Sequence, residues 1–128
     1  MTSQATFCAK PFASVKRDKD LIRDLLLFIE ENQNPPIQQP ESPSFSAEEI
    51  SYHLDLLHQA GLIEAKNYNG IWVIQNLTWQ GHDFLDKARD ETVWNAAKER
   101  LGGGFHKVSL DIVSRVLSEV IMQSLNLR

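Results

Sequence analysis

The sequence predicts a mainly α fold carrying one small β-hairpin, an α+β architecture. Three observations carry that expectation. Apolar residues recur at helical spacing across residues 16–32 and 109–126. Ser46 and Glu49 stand three positions apart, the pattern of a reciprocal helix cap. Asn69-Gly70 separates two runs rich in β-branched and aromatic residues. With 128 residues against roughly 150 per domain, the expected organisation is a tail over residues 1–15 and a single domain over 16–128.

In the first helix, expected over 16–32, Leu21, Leu25 and Phe28 form one stripe and Ile22, Leu26 and Ile29 the next. Together they make one broad buried face. Arg23, Glu30 and Glu31 fall opposite it, and Leu27 sits among them as an exposed leucine or as part of an interface. Four of the five prolines lie between Pro35 and Pro43. Proline fixes φ and lacks a backbone donor, so residues 33–45 read as an extended loop, neither helix interior nor central strand. That loop is a spacer or, in the sharper alternative, a docking peptide for an aromatic groove.

The capping box opens a second helix over 46–60, with Ile50, Leu54 and Leu57 inward and Gly61 supplying the left-handed stop. Residues 62–77 form the hairpin, because Asn-Gly tolerates the two positive φ values of a type I′ turn. Thr78 caps a helix whose apolar phase slips: Phe84, Leu85 and Ala88 mark one face, and Val93, Trp94, Ala97 and Leu101 another. A break near 90–92 follows, with Asp90 capping the fresh start. Gly102 to Gly104 ends the helical region 78–101. Ser109 then caps a last helix over 109–126, where Ile112, Val113, Val116, Leu117, Val120, Ile121 and Leu125 exceed what one narrow stripe needs. The excess points to a homodimer, with Leu27, Val113, Val116, Val120 and Ile121 as the candidate interface.

Composition limits the function classes. Thirteen Lys and Arg against 17 Asp and Glu give a net charge of −4, which removes the basic field typical of a nucleic-acid binder. The lone Cys8 excludes an internal disulfide framework and any multi-cysteine zinc site. The longest apolar run, Leu25 to Ile29, falls far short of the ~20 residues that cross a bilayer. No secretory signal is read in residues 1–14, so a cytoplasmic protein without membrane contact is expected. Gly102 to Gly104 follows a helix, the wrong context for a phosphate-binding loop. Glu49 and His53 lie one turn apart and His82 neighbours Asp83 and Asp86, yet no further histidine has matching ligand spacing. The simpler account has Glu49 closing the cap and His53 packing beside Leu54. No catalytic residue, metal or cofactor is therefore expected.

The order helix, helix, hairpin, helix is that of a winged helix. Ile50-x-x-x-Leu54-x-x-Leu57-x-x-Ala60-Gly61-Leu62-Ile63 resembles a recognition helix running into its wing, and Leu77-Thr78-x-x-Gly81 resembles the exit. A closer resemblance runs from Lys16 onward. Lys16-Arg17-Asp18-x-Asp20-Leu21-Ile22-Arg23, Tyr52-His53-Leu54-x-Leu56-Leu57-x-x-Ala60-Gly61-Leu62-Ile63 and Leu77-Thr78-Trp79-x-Gly81-His82-Asp83-Phe84-Leu85-Asp86, then Arg89-Asp90 and Trp94, are similar to the family called domain of unknown function 2513. The resemblance implies a small, winged-helix-like bacterial protein of phage or prophage type with no established activity. Val15 stands where that family's initiator Met is usual, so residues 1–14 read as a start-site extension or a tail. A winged helix would also place a short helix over 32–45, where this chain has its prolines.

The charge of the second helix bears on function directly. Reading DNA needs Arg, Lys, Asn or Gln at base edges and cations on phosphates. Residues 46–62 hold Glu48, Glu49 and Asp55 and no Lys or Arg. Its outer positions Ser51, Tyr52, Asp55, His58 and Gln59 are the candidate interaction surface. Trp72, Trp79 and Trp94, without a basic groove, read as core or interface rather than as a nucleic-acid stacking platform. The expectation is a non-enzymatic protein that binds an unknown protein partner; a DNA-binding regulator is the alternative, opposed by the acidic helix.

Overall fold

The computed structural model describes residues 17–32 and 34–126. The expected tail and the start-site reading of residues 1–14 lie outside the described residues. In chain order the elements are α1 (Lys19–Glu31), β1 (Ile37–Gln38), α2 (Ala47–Gln59), β2 (Ile63–Tyr68), β3 (Ile71–Leu77), α3 (Trp79–Ala88) and α4 (Glu91–Leu101). A 3₁₀ turn, Gly102–His106, and α5 (Leu110–Asn126) complete the described chain.

The α+β expectation holds at that level, and local signals place most boundaries. Ser46 and Glu49 form the capping box at both bonds, 3.1 and 2.9 Å. Asn69 and Gly70 take φ of 55° and 89°, the left-handed pair that the hairpin turn requires. Asp90 accepts from the N–H groups of Thr92 and Val93, so the phase slip between α3 and α4 is a true break.

Three boundaries differ from expectation. First, α1 begins at Lys19, because the Asp18 carboxylate accepts from Leu21 N–H and terminates the helix there. Second, the Pro-rich segment contains a strand. Ile37 pairs with Ile74 and Gln38 with Val73, giving a three-stranded antiparallel sheet in the order β1-β3-β2. The prolines confine this strand to two residues at a sheet edge, the position where proline is tolerated. Third, Gly102 to Gly104 continue as the 3₁₀ turn, held by Phe105, which is buried edge-on against Trp94 at 5.5 Å. Among the described residues no helix occupies 32–46.

The core lies where α1, α2 and the inner sheet face meet α3, α4 and α5. Leu26, Ile50, Leu54, Ile74, Leu85, Trp94 and Leu117 are fully buried there. Polar ties fix α1 to the following helices. Asp20 accepts from the Trp94 indole at 2.8 Å and from Lys98 at 3.1 and 3.2 Å. Arg23, expected on the solvent face, instead donates to the Ala88 and Arg89 carbonyls at 2.6 and 2.9 Å. It thereby satisfies orphan carbonyls at the end of α3 and stacks over Trp94 at 5.7 Å. No helix among the described residues is long and apolar enough to cross a membrane.

Candidate functional site

The outer face of α2 and the hairpin enclose an open groove of about 670 Å³. Helical periodicity puts Ala47, Glu48, Ser51, Tyr52 and Asp55 on one wall, at successive turns of α2. Asn67, Gly70, Ile71 and Trp72 form the other wall, and Gln39 the floor. A second hollow of about 530 Å³ shares Gln39, Ala47 and Ile71 with it and extends to Glu41 and Phe45.

Gln39 builds the floor. Its backbone N–H donates to the Trp72 carbonyl at 3.1 Å, and its side-chain oxygen accepts from Trp72 N–H at 3.3 Å. Its amide nitrogen donates to the Ala47 carbonyl at 3.1 Å. Pro40 ends the strand, so a side chain takes over the ladder position that the next residue of β1 would hold. Gln39 thus ties the edge of β3 to the first turn of α2. Ser51 reaches the turn from the other side, donating to the Gly70 carbonyl at 3.5 Å.

Three of the five predicted surface residues, Ser51, Tyr52 and Asp55, come together in the groove. His58 and Gln59 do not line it. His58 lies against the Trp72 ring at 5.5 Å, and Gln59 donates to Asp55 at 2.9 Å. Sequence reasoning missed Gln39, Ile71 and Trp72 as groove residues, since they join α2 only through the strand pairing. Ile71 is 57 % exposed, an apolar side chain left in water at the rim.

The groove's electrostatics follow from composition. Glu48 and Asp55 line the main groove and Glu41 the adjoining hollow, and neither contains a Lys or Arg. Arg23 is spent on α3, and Lys19, buried to 1 % exposure, lies over the Phe105 ring at 5.8 Å. Burial, then the charge of Arg17, pull the Lys19 ammonium below its ordinary pKa, against the opposing pull of Asp18.

His53 is not a surface ligand. Its Nδ1 meets the Glu49 backbone carbonyl at 2.7 Å, and its Nε2 accepts from the Asp18 N–H at 2.8 Å. Those partners select the Nδ1–H tautomer and occupy both ring nitrogens. Among the described residues no group of three or more His, Cys, Asp or Glu is placed to hold a metal ion.

The candidate dimer residues divide. Val113 is fully buried in the chain's own core and has no surface to offer; Leu27 and Val116 pack partly against the same core. Val120 and Ile121 are half-buried. Met122 and Leu125, at 64 % and 68 % exposure, are the apolar side chains that α5 leaves in solvent.

Fold and site together describe a small helical protein with a three-stranded antiparallel sheet and an acidic, partly apolar groove. The chain belongs to the family described as "Hypothetical protein (DUF2513)", which matches residues 16–103. An uncharacterized protein of Haemophilus influenzae is 38 % identical over 117 residues, covering 87 % of this chain and 99 % of that protein. No solved structure matches the chain significantly.

Proposed function

We propose that the chain is a non-enzymatic, winged-helix-like module of bacterial mobile-element type, working in the cytoplasm through protein contacts as a homodimer. The strand order β1-β3-β2, with α2 leading into the β2–β3 hairpin, supports the winged-helix reading. The mobile-element origin rests on the family resemblance. The observation that carries the protein-binding reading is the groove itself, whose lining has carboxylates and apolar surface and no cation. Phosphates placed there meet repulsion without counterion release.

Homodimerisation rests on Met122 and Leu125 beside the half-buried Val120 and Ile121. Light scattering tests it. A dimer that becomes monomeric in the M122D/L125D variant supports the interface; a monomeric parent chain contradicts it.

The second reading, a DNA-binding regulator, is favoured by the same strand order and by exposed Lys66 on the hairpin. It requires dimerisation to compensate for a weakly charged reading surface.

A further inference from the structure

The protein-binding reading of the groove is the starting point here. We propose that the groove takes an extended, cationic segment of a partner protein, with two arginines three residues apart and an apolar residue between them. The spacing comes from α2. Glu48 and Asp55 are seven residues apart and both line the groove, two helical turns, or ~10.5 Å of rise. Three residues of extended peptide span ~10 Å. Two cations at that separation therefore meet both carboxylates at once, whereas a helical ligand would need seven residues for the same reach.

The chemistry between the carboxylates fixes the middle of the ligand. Ala47, Tyr52, Ile71 and Trp72 give apolar surface for one aliphatic side chain. Tyr52 lines the same space and favours guanidinium over ammonium, because a planar cation both stacks on an aromatic face and forks onto a carboxylate. Glu41, in the adjoining hollow, extends the negative field beyond Ala47. The Gln39 ties to Trp72 and Ala47 hold floor and wall together before any ligand arrives, which lowers the ordering cost of binding.

Fluorescence anisotropy of the full chain with a short fluorescein-labelled peptide of core Arg-Ile-Ser-Arg tests the proposal. Saturable binding is expected, weakening with added salt and falling about tenfold in the E48Q/D55N variant, with circular dichroism confirming an unchanged fold. Absence of saturable binding, or an affinity unchanged in E48Q/D55N, overturns the proposal. A peptide with citrulline replacing both arginines is expected to lose binding. If it binds equally well, the cationic assignment fails while protein binding by the groove stands. If duplex DNA binds and competes with the peptide in an E48Q/D55N-sensitive manner, both readings fail. Self-association abolished by E48Q/D55N would assign the groove to a second copy and overturn the partner proposed here.

Discussion

A Cβ placed on Gly81 would stand 2.0 Å from the carbonyl oxygen of Leu62, so the first turn of α3 and the start of the hairpin touch backbone to backbone. The same carbonyl accepts from Thr78 N–H at 3.0 Å, and Thr78 Oγ1 accepts from Gly81 N–H at 3.0 Å. This close approach gives the Leu77-Thr78-x-x-Gly81 string its physical meaning: threonine caps the helix and glycine admits the neighbouring chain. Gly81→Ala is expected to destabilise the fold by about 3 kcal/mol, measured by urea unfolding. A loss within ~0.5 kcal/mol would contradict the contact.

Lys19 costs stability. Its ammonium is buried without a hydrogen-bond partner among the described residues, and Phe105 offers only a ring face. Lys19→Met keeps the volume and removes the charge, and is expected to stabilise by about 1–3 kcal/mol at neutral pH. The folded pKa lies below the ordinary 10.5, so the unfolded chain binds this proton more tightly. The penalty is full below the folded pKa and is relieved as pH rises from there towards 10.5. Urea unfolding at neutral and alkaline pH is expected to show the variant's advantage shrinking as pH rises.

Asp20 acts in the opposite sense. Burial pushes its carboxyl up, but hydrogen bonds from Trp94 and Lys98 outweigh that and hold it below the ordinary 3.8. Its contribution is present above pH 3.8 and is lost as pH falls through the lower folded value. Asp20→Ala leaves the buried Trp94 N–H without its acceptor and is expected to cost about 1–3 kcal/mol at neutral pH. Acid titration followed by tryptophan fluorescence is expected to show that difference narrowing at the acid end.

Trp79 is 80 % exposed at the first position of α3. Trp79→Phe is expected to change stability by less than ~0.5 kcal/mol and to shift the remaining tryptophan emission to the blue, since Trp72 and Trp94 are buried. A large loss in thermal unfolding would show that the indole is packed.

What could be read from sequence, and what could not, follows from the range of each interaction. The capping box, the Asn69-Gly70 turn and the Asp90 break are local, settled by residues within four positions of each other. The strand at Ile37 and the reach of Gln39 to Trp72 depend on a segment more than thirty residues away, and a proline-rich composition conceals them. Arg23 and Lys19 look like surface cations because nothing nearby in sequence shows that α3 and Phe105 cover them. Half of the groove was legible, since the acidic outer face of α2 is written in one helical stripe. The hairpin wall was not, because Ile71 and Trp72 face α2 only once the sheet has formed.

On the proposed reading, the face where a winged helix would read DNA serves protein instead. Fluorescence anisotropy of labelled random-sequence and phage-operator duplexes, titrated at low salt, tests it most directly. No binding is expected up to about 50 μM protein, since a groove lined by Glu48 and Asp55 and by no Lys or Arg releases no counterions. Salt-sensitive binding at micromolar protein would contradict it.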